Sequence, residues 1–304
     1  MKFSFLGIDI SINRKKSSEL VTFKDIREAN DEIITYLQEL PKEDIDLRIK
    51  NVTCTLDEDI KKTKEALKEN GIVIIPDLIP ENLINKLSQD INEIKKKIRL
   101  FISTGESFKE EKNVLFQQKE SKIKGYSLLA SHHKTVVNVR CDQDAGMIDI
   151  FNIDKWYSTF GDILLPFYKH KNINEIIHDQ NKPLKIKNLN LYLNEGVIKT
   201  RGFHVDAYYK QLKGFIYLDD CLELNSGPYT YVKKSHLNSP YRNINKKISA
   251  GLSKETETPI ILRQNIVPAL AKKGTLIISD QSGSHRGFPQ TPEYCRAVAV
   301  MKFD

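Results

Sequence analysis

Apolar and polar residues alternate strictly through Asn188-Leu189-Asn190-Leu191-Tyr192-Leu193-Asn194. Residues two apart on a strand share a face. The pattern therefore predicts a strand with leucines on one side and Asn190, Tyr192 and Asn194 on the other. The polar face either meets water or lines a polar cavity while the leucines pack under outer helices; in the second case Tyr192 and Asn194 are candidate contacts for a co-substrate or substrate. The run 296–303 reads as a buried strand on which Arg296, Val298 and Val300 share a face. A third strand over 212–218 separates Lys213, Phe215 and Tyr217 from Leu212, Gly214, Ile216 and Leu218. Lys213 then either points into a pocket or snorkels at a strand end. Residues 71–75 form a short apolar run, read as another buried strand.

Over 81–99 the period changes. Ile84, Leu87, Ile91, Ile94 and Ile98 recur at three- and four-residue steps with Lys and Glu between them, which predicts an amphipathic helix packed on the sheet. Thr55-Leu56-Asp57-Glu58 has the form of a capping box, and Gly71 would end the helix it opens. Another helix is expected around 155–169. Residues 1–54 are weakly patterned. The polar stretch 100–135 reads as loop or mobile cover. The long polar stretch 237–263, with Arg242, Lys246, Lys247, Lys254 and Arg263, reads as a lid. These basic residues point to an anionic group on a small-molecule substrate.

Composition changes this picture little. The chain has 304 residues, 40% hydrophobic and 29% charged, as in a soluble globular protein. Its net charge of +7 comes from lysines interspersed with Glu and Asp, and no basic-aromatic face stands out, which argues against nucleic acid as partner. Cys54, Cys141, Cys221 and Cys295 stand singly, with no spacing for a zinc site or disulfide framework. The apolar run at the N-terminus is too short for a signal peptide, and none approaches the ~20 residues of a membrane span. The expectation is a cytoplasmic protein.

The chemistry concentrates in His204-Val205-Asp206 and the distant His285. On a strand, His204 and Asp206 share a face; the fold would bring His285 to them. Two His and one carboxylate on one face of a metal leave the other face open, as in non-haem Fe(II) oxygenases. A lone His-x-Asp is weak evidence in a chain with seven His. Arg296, at the head of a core strand, strengthens it. A buried guanidinium needs a partner, and its planar fork suits a carboxylate. The partner is either an internal Asp or Glu, or the far carboxylate of a dicarboxylate chelating the metal. Arg140 poses a similar choice between an anionic substrate and an ion pair. His132 and His133 are adjacent, cannot share a strand face, and make a poor joint metal site.

Several motifs recur in a family order: Thr200-Arg201-Gly202-Phe203-His204-Val205-Asp206, Lys213-Gly214-Phe215-Ile216-Tyr217-Leu218-Asp219-Asp220, and Ser226-Gly227-Pro228 leading to Ser235-His236. They continue with Gly274-Thr275-Leu276-Ile277-Ile278-Ser279-Asp280, His285-Arg286-Gly287 and Arg296, while Gly71-Ile72-Val73-Ile74-Ile75-Pro76 stands upstream. In order and spacing the chain resembles the phytanoyl-CoA dioxygenase family of Fe(II)/2-oxoglutarate oxygenases. It departs from that pattern at Lys233-Lys234, Tyr229 and Gly287.

The resemblance implies an α+β fold with a mainly β core: a double-stranded β-helix (jelly-roll, cupin-like) barrel with flanking helices. It implies one oxygenase domain over 1–304, made of an extension (1–54), a helical cover with the first strands (55–187) and the barrel core (188–304). It further implies Fe(II) on His204, Asp206 and His285, with 2-oxoglutarate held by Arg296 and O2 as oxidant. Tyr192, Asn194 and Lys213 are further candidates to contact the co-substrate. Asp206 favours hydroxylation of a small metabolite, or desaturation or ring closure by the same oxidant, since related halogenases lack that carboxylate. His236 would be structural. The rivals are a non-catalytic barrel kept as a binding module, and a cupin of other chemistry, although cupins usually carry His-x-His and an additional Glu.

Overall fold

The computed structural model describes residues 2–5, 8–11, 23–56, 60–119, 122–142, 144–177, 186–251 and 257–303. A hairpin, β1 (Lys2–Phe5) and β2 (Ile8–Ser11), precedes α1 (Phe23–Gln38), α2 (Lys42–Lys50) and α3 (Ile60–Asn70). Then come β3 (Ile72–Ile75), α4 (Glu81–Thr104), β4 (Phe108–Glu110), β5 (Val114–Gln118), α5 (Tyr126–Ser131), β6 (Thr135–Val139) and β7 (Met147–Phe151). Helices α6 (Ser158–Tyr168) and α7 (Lys171–Ile177) lead to β8 (Ile186–Glu195), β9 (Leu212–Tyr217) and β10 (Tyr229–Val232). The chain ends with α8 (Pro240–Lys246), β11 (Ile266–Pro268), β12 (Leu276–Asp280), β13 (His285–Gly287) and β14 (Cys295–Phe303).

Side-chain parity organises these elements into layers. The large sheet has nine strands in the order β3-β12-β9-β14-β8-β7-β6-β5-β4, and a three-stranded sheet runs β11-β10-β13. On the outer face of the large sheet, Leu189, Leu191 and Leu193 of β8 join Ala297, Ala299 and Met301 of β14 in one core with the apolar stripe of α4 and with α6 and α7. On the inner face, Phe215 and Tyr217 of β9 and Val298 and Val300 of β14 meet Tyr229 and Tyr231 of β10 and Val267 of β11. The two sheets therefore face each other across an apolar core that gives way to a polar cavity.

The helix over 81–99 is present and runs one turn further. Its stripe Ile84, Leu87, Ile91, Ile94 and Ile98 is buried, Phe101 extends it, and Gly105 at φ 70° ends it. Each such side chain is worth about 1.5–3 kcal/mol of transfer free energy. Gly71 ends α3 at φ 77°; residues 57–59, which hold half of the expected capping box, lie outside the described residues.

The structure corrects three expectations. A barrel does not close: β3 and β4 are the edges of an open sheet, so the architecture is a large, mainly β sheet with flanking helices and a small facing sheet. The stretch 100–135 is not irregular. It carries the end of α4, then β4, β5 and α5, with Val114, Leu115 and Phe116 buried. Its apolar runs are short and hemmed by charge, which hid their strand character. The weakly patterned N-terminal region holds α1, whose Ala29, Ile33 and Leu37 pack on Phe203, Val232 and Ile266. Among the described residues no helix is long and apolar enough to cross a membrane. All four cysteines are free.

Candidate metal centre

His204 lies on the connection between β8 and β9, where the expected strand is reduced to one bridge. His204 N–H donates to His285 O at 2.9 Å and His285 N–H returns to His204 O at 3.0 Å. Further along, Asp206 N–H donates to Gln281 O at 3.0 Å. The chain is extended enough for residues 204 and 206 to face the cavity while 203 and 205 face away. These outward residues are pinned from behind: Phe203 N–H donates to Asn30 Oδ1 of α1 at 2.8 Å, and Val205 N–H to Ser249 Oγ at 2.8 Å. Gly202 N–H donates to Glu257 Oε1 at 3.2 Å. A methyl group on Gly202 would lie 2.7 Å from Glu257 Cδ and 2.9 Å from Asn30 Cγ, so a larger residue here would push both side chains aside.

The two imidazoles are oriented alike. His204 Nδ1 lies 3.0 Å from Gly202 O and His285 Nδ1 lies 3.0 Å from Gly283 O. A carbonyl only accepts, so this network assigns the proton to Nδ1 and leaves the Nε2 lone pair for the cavity. His204 Nε2 is 3.5 Å from Asp206 Oδ1 and His285 Nε2 is 3.6 Å from Asp206 Oδ2. Ligand atoms of the three residues all lie within 4.8 Å of one another. Ligands bound about 2 Å from a common ion are about 3–4 Å apart, so the set fits one metal ion.

Positive groups already answer these lone pairs. Lys213 Nζ, carried on β9, lies 2.7 Å from Asp206 Oδ2. Arg201 Nη2 lies 2.6 Å from His204 Nε2. Burial, the Arg201 guanidinium and His285 push the His204 imidazole well below its usual range, which keeps it neutral and able to bind a metal. Burial opposes charge on Asp206, but Lys213 and the two imidazoles overcome it and hold the carboxyl well below the usual carboxylate range. The Asp206 side chain is 28% exposed, so water tempers both effects.

The cavity has a volume of about 210 Å3 and its wall includes Tyr192, Asn194, Lys213, Arg296 and the three ligand candidates. Tyr192 and Asn194 on the polar face of β8 thus line the cavity and Lys213 points inward, while Asn190 is buried against Asn152 and Tyr126. Arg296 pairs across β14–β8 with Asn194 and is 7% exposed. Its Nε and Nη1 are buried with no hydrogen-bond partner, as is Asn194 Oδ1. The guanidinium carbon sits 5.7 Å from the Tyr217 ring centre. No ion pair satisfies this cation among the described residues. At Gly287, an added Cβ would meet only Arg296 Nη2, at 4.0 Å.

Other candidates resolve differently. Arg140 is held by Asp149 at 2.8 Å and Asp144 at 2.6 Å, an ion-paired wall residue. His132 and His133 stack on each other away from the cavity. His236 Nε2 lies 3.0 Å from Lys68 O, a structural contact. None of the described residues of 237–263 lines the cavity; Ser249, Glu257 and Thr258 instead brace the outer side of the 202–205 turn. Of the described residues of 100–135, only Tyr126 reaches the wall.

Sequence reasoning missed Arg201, Arg286 and Asn30. Arg286, 1% exposed, bonds the Asn30 carbonyl at 3.2 Å and Thr200 Oγ1 at 2.8 Å, and burial lowers its guanidinium to about 10. Asn30 was legible only through α1, whose Ile26, Ile33 and Leu37 stand at helical spacing.

No family model matches the chain, and no curated protein does. Solved structures do. One is the non-heme alpha ketoglutarate dependent carbocyclase SnoK from nogalamycin biosynthesis, at TM-score 0.51 and 14% identity, covering 83% of this chain and 86% of that one. AviO1 from Streptomyces viridochromogenes Tue57 is similar at TM-score 0.49 and 15% identity, covering 81% and 94%. HygX from Streptomyces hygroscopicus, with nickel and 2-oxoglutarate bound, is similar at TM-score 0.47 and 10% identity, covering 80% and 86%. At these identities the likeness to SnoK is one of fold. The resemblance to the phytanoyl-CoA dioxygenase family remains a reading of the motifs.

Proposed function

We propose that this protein is a non-haem Fe(II)/2-oxoglutarate-dependent oxygenase that hydroxylates a C–H bond of a small molecule, and that its two facing sheets form a double-stranded β-helix. One observation carries the reading: a convergent His204, Asp206 and His285 set shares a cavity with Arg296, whose Nε and Nη1 are buried and unpartnered. Leaving such groups unpaired costs about 1–3 kcal/mol each or more, so their retention speaks for a ligand that pairs them. A dicarboxylate does so. SnoK, a protein of similar fold, is an alpha ketoglutarate dependent carbocyclase.

In this reading His204, Asp206 and His285 hold the iron, and Arg296 holds the far carboxylate of 2-oxoglutarate by a charge-assisted fork. Iron, 2-oxoglutarate and O2 together supply the oxidation, releasing succinate and CO2. The protein's own work is placement. Gly202 O and Gly283 O fix the imidazole tautomers, Asp206 supplies one negative charge to the ion, and Lys213 steadies that carboxylate. Asn194 and the Tyr192 phenol, which burial keeps protonated, offer hydrogen bonds to the co-substrate. Phe215, Tyr217, Tyr229 and Val298 keep the inner wall apolar and limit water.

The test is conversion of 2-oxoglutarate to succinate with Fe(II) and ascorbate, followed by mass spectrometry across a metabolite panel. The reading expects succinate formation that His204→Ala abolishes and a product sixteen mass units heavier than its parent, as one oxygen atom adds. Absence of succinate from protein that binds both iron and 2-oxoglutarate would leave the non-catalytic binding module in its place.

A further inference from the structure

The cavity wall carries more positive charge than the proposed cofactors use. Five cations line it: Arg140, Arg201, Lys213, Arg286 and Arg296. Three carboxylates answer them. Asp144 and Asp149 hold Arg140, and Asp206 holds Lys213. Glu257, behind the turn, pairs with Arg27 at 3.7 Å and accepts from Gly202 N–H. A divalent ion and a doubly charged dicarboxylate cancel one another. Asp31 and Glu257 also act on Arg286 from behind, so after both are placed the wall keeps one positive charge in excess, in a cavity whose low polarisability makes unpaired charge costly.

The three arginines without a close ion pair differ in freedom. Arg286 is spent on neutral oxygens of Gly287, Asn30 and Thr200, with the Asp31 and Glu257 carboxylates acting on it from further off. Arg296 serves the co-substrate in the proposed function. Arg201 remains. Its backbone N–H is pinned to Asp144 Oδ1 at 2.6 Å, which fixes the residue at the wall. Its guanidinium Nε is buried and unpartnered, and its Nη2 rests on His204 Nε2. A metal ion on His204 takes that same lone pair, so Arg201 and the ion exclude one another there. Asp144 already answers Arg140 through Oδ2 and the Arg201 backbone N–H through Oδ1, so its single negative charge is shared before the guanidinium moves.

We propose that Arg201 recognises the primary substrate, by gripping a carboxylate or phosphate group of it beside the metal centre once the ion has claimed His204. The substrate is then an anion, and one that is small or that projects out of the cavity, since about 210 Å3 must also hold the co-substrate. Metal loading and substrate recognition are coupled: the ion turns Arg201 from His204 toward the incoming anion. This rests on the iron-centre reading above and adds the substrate class to it.

The experiment uses the full chain as wild type, Arg201→Gln and Arg201→Lys. Ni(II) affinity is measured first, then 2-oxoglutarate binding to the nickel-loaded protein. Inorganic phosphate and propionate are next titrated separately into protein saturated with both. Arg201→Gln should bind Ni(II) more tightly than wild type, because the competing cation is gone. It should keep 2-oxoglutarate affinity, which shows an intact fold, and bind the preferred anion about tenfold or more weakly. Arg201→Lys should retain part of the anion affinity. Phosphate bound ahead of propionate marks a phosphorylated substrate, and the reverse order a carboxylic acid. Equal anion binding by wild type and Arg201→Gln, or no anion binding by loaded wild type, overturns the assignment of Arg201 while leaving the iron centre standing. Wild type that takes up no Ni(II) overturns the iron-centre reading and this inference with it.

Discussion

Replacing Asn30 by Ala tests how α1 supports the turn that carries His204 and Asp206. Asn30 is 1% exposed; its Oδ1 accepts from Phe203 N–H at 2.8 Å and its Nδ2 donates to Thr258 O at 3.3 Å. Phe203 is fully buried, so water cannot replace the lost acceptor. One buried N–H left unpaired costs about 1–3 kcal/mol. The longer bond to Thr258 and the small void left by the amide bring the total to about 2–4 kcal/mol. That is a large part of an ordinary domain's ~5–15 kcal/mol. Urea unfolding should show the midpoint lowered with an unchanged slope. Because Phe203 adjoins His204, Ni(II) affinity should also fall, by about tenfold, as when an outer partner of a metal ligand is removed. Asn30→Asp keeps the acceptor for Phe203 N–H but sets a carboxylate oxygen against the Ile26 and Thr258 carbonyls, so it should recover nickel affinity more than stability. A stability loss below about 1 kcal/mol with unchanged nickel affinity would show that Asn30 does not hold the turn.

Two further outcomes follow from the packing. Gly283→Ala puts a methyl against the Tyr231 hydroxyl and 2.8 Å from Ser235 Oγ; it should cost about 1–3 kcal/mol and weaken nickel binding, because Gly283 O holds His285 Nδ1, and equal melting with and without nickel in wild type and variant would refute this. Ile94→Ala empties a fully buried site on α4 and should cost about 2–5 kcal/mol while leaving nickel affinity unchanged in a binding titration, which separates scaffold from site.

Legibility in the sequence followed periodicity. On β8 the alternation is strict, and on β9 and β14 the two-residue period grouped Phe215 with Tyr217 and Val298 with Val300, so shared faces could be read from residue order, though not which face turns inward. The stripe of α4 was equally plain. Residues 202–206 are different: one bridge and side-chain bonds from Asn30, Ser249 and Glu257 hold them, and such contacts between distant segments leave no periodic trace. The same reason hid Arg201, which sits three residues before His204 on a chain that is neither helix nor strand. The stretch 237–263 read as a lid because its polarity is that of a surface segment. Polar it is, yet its Ser249 and Glu257 spend that polarity on backbone N–H groups of the turn that carries His204 and Asp206. Lys213 was ambiguous by pattern, since a strand-end cation can snorkel or turn inward, and Arg296 was ambiguous by partner, an internal carboxylate or one from outside; both line the cavity, and none of the described residues forms an ion pair with Arg296.

The central claim is that one cavity holds a metal ion on His204, Asp206 and His285 and a 2-oxoglutarate anchored by Arg296. Anaerobic titration of 2-oxoglutarate into the Fe(II)-loaded protein tests it most directly, read by the visible charge-transfer absorption of a keto acid chelated to Fe(II). Wild type should develop the band and saturate. His204→Ala should show none, and Arg296→Gln should reach the same band only at about tenfold or more co-substrate. Wild type that shows no band with Fe(II) and 2-oxoglutarate in excess, or Arg296→Gln that saturates at the wild-type concentration, would contradict the account.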